Sequence, residues 1–450
     1  MLRDLLASLL ASLLGAGRPR APAPGVRAAV LALLAAGRGE EALAAAAGAV
    51  ARSPRDAEAH LALAHAWHKL HQPARALESC EQAARLRPRD PAVHDLRGAA
   101  LYALGRTDEA MQAYACALAQ DGSYAPARYH RALLHLARGE FALGWPGYEL
   151  RRTDPRSALH AGGEPPGPPY WEGSDLAGRS LLVRREQGLG DEIMFACLLP
   201  PLAAVAARVL LECDPRLRAL FARSFPQVEV LGERLGDAAG RAELQAGAGS
   251  LARLFRRQLA DFPAHAGYLR ADPRAVESWR RRLSSLGDGL KIGLSWTGGT
   301  ARTRQALRSI PLPEWQPLLA TPGARFVSLQ HTPEASRELE GLRARHGIDL
   351  AHWPEAIVDT DQTAALVSAL DLVVSVCTSV VHLAGALGRP VWVLVPSVPE
   401  WRYGLAGASM PWYPTARLFR QAAGADWKPA LAAVAAALRE RAAAAQEAAR

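Results

Sequence analysis

The sequence predicts an α-helical repeat array followed by two α/β domains with parallel sheets. Small residues recur every 34 positions in the first third of the chain, and a Pro- and Gly-rich stretch follows near residue 160. From residue 180 onward, short apolar runs alternate with helix-like runs. At 450 residues the chain is long enough for two or three domains.

The composition is that of a globular protein with a basic surface. Half of the residues are hydrophobic, 22% are charged, and the net charge is +9. A positive charge favours an anionic ligand such as a nucleotide, and an ordinary solvated basic surface is the alternative explanation. No Lys/Arg block with interleaved aromatic residues suggests a nucleic-acid groove.

Cysteine usage and hydropathy favour a cytoplasmic protein without a transmembrane segment. The number of cysteines is odd and no two are separated by two or three residues, so neither a disulfide framework nor a zinc site is expected. No apolar run reaches 18 residues. Residues 1–22 carry leucines spaced for one helix face, which predicts a packing helix. A signal or membrane-attachment segment is the weaker alternative, because basic residues and a cleavage site are poorly developed.

The 34-residue period predicts stacked helix pairs. Two positions of the period hold alanine in three successive copies, and a third holds glycine or histidine: Ala42, Ala76 and Ala110; Ala49, Ala83 and Ala117; and Gly37, His71, Gly105 and Gly139. Small residues let paired helices approach closely, and a proline after the second helix ends it. In the fourth copy, Gly144 and Arg151 replace the two alanines, so that copy is degenerate.

This pattern resembles tetratricopeptide repeats, with Trp67 and Gly98 as remnants of the signature residues. We expect the array to cover residues 23–157, preceded by the N-terminal helix. Such an array offers a concave surface for a partner and has no chemistry of its own. The alternative is that it only packs against the next domain.

The remainder of the chain predicts two Rossmann-like domains. A linker over 158–180 leads to a first domain at 181–285 and a second at 286–450, which ends in a helix. The predicted strands are SLLVRRE, ARVLLEC and VEVLG in the first domain and LKIGLSW, ARFVSLQ, DLVVSV and PVWVLVP in the second. Apolar strands alternating with helices predict parallel sheets covered on both faces. Ligands of such sheets bind beyond the carboxyl ends of the strands.

A Gly-rich turn with two acids follows the first of these strands. Gly188 and Gly190 allow a ligand or acceptor to approach the backbone, and Asp191 and Glu192 stand at the start of the next helix. An isoleucine replaces the third glycine of a dinucleotide fingerprint, so a nicotinamide site is not favoured. The acids have an alternative explanation as helix caps. A helix start also favours the ionised form, so we expect Asp191 to be a carboxylate.

A second candidate site lies in the second domain. Thr378 and Ser379 begin the helix after DLVVSV, where free N–H groups make an anion site, and His382 follows one turn later. Plain N-capping by the two hydroxyls and a satisfied buried imidazole are the alternatives. A basic loop precedes this helix in the sequence and can clamp phosphates: Gly298, Gly299, Arg302, Arg304 and Arg308.

Together these residues resemble bacterial proteins that fuse tetratricopeptide repeats to a glycosyltransferase-like region. Those proteins are related to the heptosyltransferases of glycosyltransferase family nine and, more distantly, to O-linked N-acetylglucosamine transferases. The resemblance covers nearly the whole chain and is most specific in EQGLGDEIMF, RSIPL, DLVVSVCTSVVHLAGALGRPVWVLVP and WRY…PWYPTARLFRQ. It implies a GT-B fold whose second domain holds the sugar nucleotide, and inverting glycosyl transfer without a required metal or cofactor.

The resemblance also implies roles for individual residues. Asp191 matches the acid proposed as general base. The donor-side and cleft-lining positions are Thr378, Ser379 and His382 at the phosphate helix, Arg308 and Ser309 near the diphosphate, and Gln187, Gly188, Gly190 and Glu192 in the cleft. Cys377 departs from the pattern, because the family has aspartate there and a thiol is a poorer acceptor for a sugar hydroxyl. A heptose donor is therefore less expected, and Cys377 is predicted to tune donor choice.

The predicted function is transfer of a sugar from a nucleotide-diphosphate sugar to a protein or saccharide hydroxyl. The alternative is a non-catalytic interaction protein with a degenerate GT-B region, which Cys377 favours. The repeats hint at a protein acceptor or partner. Because repeats supply surface and not chemistry, removal of residues 1–157 is expected to leave nucleotide binding intact.

Overall fold

A computed structural model of the protein describes residues 25–152, 167–186, 188–231, 240–299, 303–422, 424 and 426–448. The predicted N-terminal helix, Gln187 and Arg302 lie outside the described residues. The chain divides into two compact units, residues 1–127 and 128–450. Among the described helices, none is long and apolar enough to cross a membrane.

The described part of the first unit consists of helix pairs. They are α1 (Val26–Ala35), α2 (Gly39–Arg52), α3 (Ala57–Lys69), α4 (Pro73–Leu86), α5 (Pro91–Ala103) and α6 (Thr107–Gln120). The alanines that recur with the 34-residue period are all buried. Each pair turns through a residue in the left-handed region, with φ +76° at Gly37, +57° at His71 and +75° at Gly105. The predicted repeats are therefore confirmed, including the equivalence of His71 with the glycines.

The second unit begins within the fourth helix pair. Helix α7 (Ala125–Ala137) turns at Gly139 into α8 (Phe141–Tyr148), and a 3-10 turn follows at Glu149–Arg152. Gly144 lies where α8 packs closely against α7, since a Cβ there would lie 2.6 Å from the Leu136 side chain. From Arg128 onward this pair groups with the α/β region. The predicted domain bounds themselves stay a prediction.

The first sheet has four parallel strands in the order β3-β2-β1-β4. The strands are β1 (Ser180–Arg184), β2 (Arg208–Leu211), β3 (Val228–Val230) and β4 (Leu244–Gly247), with helices α9 (Leu189–Phe195), α10 (Leu199–Ala203), α11 (Arg218–Ser224) and α12 (Ala252–Phe255). Part of the predicted linker packs on this sheet, because the Trp171 N–H donates to the Gln245 carbonyl at 2.8 Å. Helix α13 (Pro273–Ser284) leads to the second sheet.

The second sheet has six parallel strands in the order β10-β9-β8-β5-β6-β7. The strands are β5 (Leu290–Ser295), β6 (Ala324–Ser328), β7 (Ala351–His352), β8 (Leu372–Val376), β9 (Val391–Val395) and β10 (Ala416–Arg420). Its helices are α14 (Gln316–Leu319), α15 (Ala335–His346), α16 (Pro354–Val358), α17 (Thr360–Ala369), α18 (Ser379–Ala386) and α19 (Lys428–Ala448). Strands β8 and β9 are buried along their whole length, which explains their continuous apolar runs.

Three strands and one helix differ from the prediction. Strands β4, β7 and β10 were not predicted; β4 is short and carries a glutamine whose side chain accepts from the Arg184 guanidinium at 2.8 Å. The helix expected to begin at Asp191 and Glu192 is divided into α9, a 3-10 turn and α10, because Pro200 and Pro201 lack the N–H that a continuous helix needs.

Each sheet changes strand order beside its first strand. In the first sheet β1 lies between β2 and β4, and in the second sheet β5 lies between β6 and β8. Ligands of open parallel sheets bind at the carboxyl ends of the strands that flank such a point. The predicted fold class, a helical solenoid followed by two Rossmann-like domains, is confirmed. The segments that follow the carboxyl ends of β1, β5 and β8 contribute to the candidate site.

Candidate functional site

The two sheets meet through an ion pair at their carboxyl edges. Asp191 lies in the first turn of α9, directly after β1, and its Oδ1 accepts from Nη2 of Arg402 at 2.5 Å. Arg402 lies in the 3-10 turn Trp401–Tyr403, which follows β9. Residues distant in sequence are therefore held together at the edge where a ligand is expected.

Glu400 extends this pair into a four-residue cluster. Its Oε2 accepts from Nη1 of Arg402 at 3.0 Å, and its Oε1 is paired with Nη1 of Arg308. Nη2 of Arg308 also donates to the Cys377 carbonyl at 2.7 Å. We call Asp191, Arg402, Glu400 and Arg308 the edge cluster. Glu400 holds both guanidiniums beside the start of α18.

Some hydrogen-bond donors of the edge cluster have no partner among the described residues. The Nε atoms of Arg308 and Arg402 are buried and have no hydrogen-bond partner among the described residues. The four side chains retain 10–20% of their exposure, so the cluster is reachable from solvent. Guanidinium N–H groups bind phosphate oxygens well, and here two of them are buried without a partner among the described residues.

Asp191 has a more basic carboxyl group than its helix position predicts. Burial raises the pKa of Asp191, Arg402 opposes this rise, and the charges of Glu186 and Glu400 add to it. Removal from water thus acts against the ionised form, and the expectation that Asp191 is a carboxylate stays a prediction. A carboxylate with a raised pKa is a better proton acceptor.

Glu192 points away from the edge cluster. Its Oε2 accepts from the Asp214 backbone N–H at 2.7 Å, and Oε1 lies 3.6 Å from the Arg185 Nε. Burial raises the pKa of Glu192 to about 7, although the Asp214 N–H and Arg185 oppose this. The different partners of Asp191 and Glu192 follow from the step of about 100° between helical neighbours.

The two glycines of the turn differ in their surroundings. Gly188 has φ −156°, which any residue adopts, and a Cβ there would make an ordinary 3.5 Å contact with Asp191. At Gly190 a Cβ would lie 2.9 Å from Cδ2 of His382. Gly190 thus allows α9 to pack against α18 of the other Rossmann-like domain. The role of both glycines in acceptor approach stays a prediction.

The start of α18 lies beside Arg308. Thr378 is the N-cap and its Oγ1 accepts from the Val380 N–H at 3.1 Å, so the capping alternative describes that hydroxyl. Ser379 is partly exposed. His382 is buried, with Nδ1 3.1 Å from the Tyr413 hydroxyl, and burial holds its pKa well below the ordinary value. His382 is therefore a neutral imidazole behind the helix start.

Cys377 contributes its backbone to the site and its side chain to the core. Its carbonyl accepts a hydrogen bond from the Arg308 guanidinium, whereas its thiol is buried and lies 3.6 Å from the Leu394 carbonyl. Burial raises the pKa of the Cys377 thiol to about 12. The effect of Cys377 on donor choice stays a prediction, and any such effect of the thiol is exerted from beneath Arg308.

The basic loop folds over Arg308. Ser309 donates its hydroxyl to the Gln305 carbonyl at 2.8 Å and accepts from the Gly298 N–H at 3.2 Å. Gly299 has φ +77°, and a Cβ there would lie 3.0 Å from the Arg308 guanidinium carbon. Ser309 and the two glycines therefore fix the loop that holds Arg308, and Ser309 has its own partners in the chain.

Sequence reasoning missed Glu400 and Arg402 as site residues. Both belong to the loop after the apolar run PVWVLVP, and WRY was noted only as part of the resemblance. The available signal was an acid and a base just beyond the carboxyl end of a predicted strand. Which of several such loops reaches Asp191 depends on the approach of the two Rossmann-like domains, which the local pattern does not contain.

A second buried ion pair lies at the edge of the first sheet. Nη2 of Arg151 donates to Oε1 of Glu186 at 2.7 Å, and the Gly249 N–H donates to the same oxygen at 2.6 Å. Arg151 also donates to Glu149 at 2.9 Å and to Ser250 at 3.2 Å. Arg151 occupies the position where the fourth repeat departs from alanine, so this departure serves contact with the first sheet.

Helix α8 supports the loop that carries Arg402. The ring centroids of Trp145 and Tyr148 lie 5.5 Å and 5.6 Å from that of Trp401. The Trp145 indole N–H also donates to the Arg256 carbonyl at 2.6 Å. Removal of residues 1–157 would also remove α8 and Arg151, which pack against the α/β region, so its effect on nucleotide binding stays a prediction.

Comparison with known proteins identifies the helical array. Residues 33–100 match the family described as tetratricopeptide repeat. These helices are tetratricopeptide repeats. The match and the left-handed turns of the helix pairs agree on the same segment.

One curated protein is similar to this chain over most of its length. The chain is 32% identical over 391 residues to protein FlbA of Caulobacter vibrioides, and the alignment covers 81% of this chain and 64% of FlbA. The chain thus spans less than two thirds of that relative.

Solved structures with similar chains include glycosyltransferases. The ADP-heptose lipopolysaccharide heptosyltransferase II of E. coli shares 16% identity at a TM-score of 0.44, over 58% of this chain and 100% of that one. A mutant O-GlcNAc transferase of Thermobaculum terrenum shares 14% identity at a TM-score of 0.33, over 93% of both chains. Among the described residues of our protein, no group of three or more His, Cys, Asp or Glu side chains could hold a metal ion.

Proposed function

We propose that the protein is an inverting glycosyltransferase that moves a sugar from a nucleotide-diphosphate sugar to a protein or saccharide hydroxyl. The observation that carries the proposal is the edge cluster, in which Asp191 lies 2.5 Å from Arg402 and Glu400 holds a second arginine beside it. Inverting transfer needs a base on one side of the sugar and a stabilised leaving group on the other. The cluster offers both at one edge.

The second Rossmann-like domain supplies the proposed donor site. Arg308 and Arg402 carry Nε–H groups without a partner in the described part of the chain, and α18 directs its first N–H groups toward the same edge, next to the switch point between β5 and β8. Arginines and a helix start can stabilise a leaving diphosphate without a metal ion. We therefore propose that no metal or other cofactor is required.

The first Rossmann-like domain supplies the proposed base. A sugar or protein hydroxyl becomes a good nucleophile only when its proton can leave. Asp191 is the carboxylate of the turn that reaches the donor side, whereas Glu192 is engaged with the Asp214 backbone. The burial that raises the pKa of Asp191 makes it a more effective acceptor for that proton.

The repeats suggest where the acceptor binds. Arrays of helix pairs present a concave surface and commonly bind polypeptides. We propose a protein acceptor or partner for this surface, in the cytosol, where nucleotide sugars and reduced cysteines would both be present. The non-catalytic alternative retains nucleotide binding and lacks turnover.

The proposal is tested by release of nucleoside diphosphate from a panel of ADP-, GDP- and UDP-sugars, with a cell lysate as the source of acceptors. Asp191→Asn keeps the shape of the side chain and removes the base, so turnover should fall by roughly 10²–10⁴-fold. Glu192→Gln is the matched control and should retain turnover within a few fold.

Three outcomes are informative. Full activity of Asp191→Asn with an inactive Glu192→Gln would show that the other carboxylate is the base. Wild-type activity in both variants would show that the turn has no catalytic role. Nucleotide binding without release of diphosphate under any condition would support the non-catalytic alternative.

A further inference from the structure

We propose that Arg402 is a positioning residue that exchanges Asp191 for the donor diphosphate, so that the base is freed only after the donor has bound. This inference rests on the proposed function. It goes further by giving the two substrates an order and by adding a phosphate contact that the sequence did not predict.

Asp191 is occupied by Arg402 in the structure. Arg402 Nη2 contacts Oδ1 of Asp191 at 2.5 Å, and the Asp191 side chain is only 19% exposed. A proton acceptor needs a direct contact with the acceptor hydroxyl, or a contact through one water molecule. A guanidinium bound to the carboxylate both fills part of that space and stabilises the charge that the reaction must use.

Arg402 shares Glu400 with Arg308, which lies in the proposed donor site. Glu400 holds Nη1 of Arg402 with one oxygen and Nη1 of Arg308 with the other. The two guanidiniums are thereby placed on either side of one carboxylate, and both Nε atoms lack partners among the described residues. A diphosphate has enough oxygens for both arginines, and Arg–phosphate contacts are among the strongest hydrogen bonds in proteins.

Of the two arginines, Arg402 is the one able to change partner. Arg308 is bound to the Cys377 carbonyl and lies beneath the Gly299 turn, so the loop fixes it. Arg402 is held by Glu400 of its own loop and by Asp191 of the other Rossmann-like domain, and we propose that an anion replaces Asp191. The hydrogen bonds that Arg402 forms with the diphosphate would offset the loss of its contact with Asp191.

The charges around Asp191 favour this order. The described charged groups that act on it are Arg402, Glu400, Glu186 and Arg151. The neighbouring Gly190 packs against His382, whose burial holds its pKa well below the ordinary value. Withdrawal of Arg402 removes the nearest positive charge, so the pKa of Asp191 should rise further. The carboxylate thus becomes most basic when the donor is in place.

The test is a double-mutant cycle on nucleotide affinity, with calorimetric titration of ADP, GDP and UDP. Arg402→Gln should weaken binding of the preferred diphosphate by about 10-fold or more. Asp191→Asn should tighten binding a few fold, because Arg402 no longer has to leave a carboxylate. In the Arg402→Gln background, Asp191→Asn should change the affinity little.

The cycle separates the exchange from simple repulsion between Asp191 and the diphosphate. If repulsion alone acts, Asp191→Asn tightens binding equally in both backgrounds, and the exchange is refuted. An unchanged affinity of Arg402→Gln also refutes it. The corresponding nucleoside monophosphate is a ligand control, for which the coupling between the two substitutions should be smaller.

A second variant guards against loss of the fold. Arg402→Lys keeps the positive charge next to Asp191 but lacks the fork that spans two phosphate oxygens. It should melt close to the wild type, bind diphosphate more weakly, and show a reduced gain from Asp191→Asn. Wild-type affinity in Arg402→Lys with the full gain from Asp191→Asn would contradict the exchange even if Arg402→Gln does not fold.

Failure of this inference can be told apart from failure of the proposed function. If no diphosphate binds to the wild-type protein, the donor site itself is wrong. If diphosphate binds and Arg308→Ala weakens it, but the Arg402 variants do not, the donor site stands and only the exchange is wrong.

Discussion

The two buried ion clusters of the second unit are built from the same residue types and differ in how completely they are satisfied. Arg151 and Glu186 have 0% and 1% side-chain exposure, and their oxygens and N–H groups are met by Glu149, Ser250 and the Gly249 N–H. The edge cluster retains 10–20% exposure and two N–H groups without a partner among the described residues. The first cluster is complete without a ligand, whereas the second is not.

We propose that this difference separates a structural role of the first cluster from a binding role of the edge cluster. A buried ion pair whose groups are all satisfied joins parts of the chain and gains nothing from an added anion. Arg151 joins the end of the fourth repeat to β1 through Glu186 and to the turn after β4 through Ser250. The edge cluster has donors left over next to a helix start, which is where an anionic ligand would complete it.

The largest expected effect is on stability, at the satisfied pair. Arg151→Met keeps much of the side-chain volume but leaves Glu186 buried without its cation. Breaking a buried pair in this way costs about 3–5 kcal/mol, so the melting temperature of the α/β region should fall by several degrees in calorimetric scans.

Arg179→Met is the matched control, because Arg179 lies 3.7 Å from Glu243 at the surface, with 39% exposure. Exposed pairs contribute about 0–1 kcal/mol. If the two methionine variants melt alike, the Arg151 pair is not a structural joint, and the contrast between the clusters is lost.

The next effect concerns Glu192 and depends on pH. Its pKa is raised from 4.5 to about 7 in the folded protein, so the folded state holds this proton more tightly than the unfolded state. The associated stability is present below pH 4.5 and is lost as the pH rises through 7. Glu192→Gln cannot titrate and therefore does not lose this stability. Relative to the wild type, the free energy of unfolding of the variant should rise by up to about 3 kcal/mol as the pH rises from about 4.5 to about 8.

The measurement is the difference in melting temperature between wild type and Glu192→Gln at intervals across this pH range. The amide oxygen of the substituted side chain can still accept from the Asp214 N–H, so the local contact is kept. A difference that does not vary with pH would mean that the Glu192 carboxyl titrates at an ordinary value and is not desolvated.

A smaller effect is expected at the turn between β1 and α9. Gly190→Ala places a Cβ 2.9 Å from the buried His382 ring, and overpacking of this kind costs about 1–3 kcal/mol. Gly188→Ala meets only an ordinary contact at 3.5 Å and should change stability by less than about 0.5 kcal/mol. Thermal melts of both variants measure this, and equal effects would show that α9 does not press on α18.

Much of the fold could be predicted because its signals are local or periodic. The 34-residue period placed His71 with the glycines, and its φ of +57° confirms this. The central strands β1, β5 and β8 were clear because both faces are buried. Strand β4 was missed because it is short and contains a glutamine, which is satisfied only through the distant Arg184.

The candidate site was less predictable because it depends on contacts between distant segments. Asp191 could be proposed from its turn, but its partner Arg402 lies 211 residues further on. The packing of Gly190 against α18 was not predicted, because sequence does not show that α18 approaches it. The replacement of alanine by Arg151 was interpreted as degeneration of the fourth repeat, because its partner Glu186 belongs to the first sheet, outside the repeat.

The central claim is that the second Rossmann-like domain binds a nucleoside diphosphate at the edge cluster. Calorimetric titration of ADP, GDP and UDP into wild type, Arg308→Ala and Arg280→Ala tests it most directly. Arg280 is a surface arginine with 60% exposure, outside the cluster, and controls for the loss of one positive charge. Arg308→Ala should weaken binding of the preferred diphosphate by about 1.5–3 kcal/mol, with Arg280→Ala unchanged. Equal affinity of all three proteins, or no heat of binding for the wild type with any diphosphate, would contradict the account.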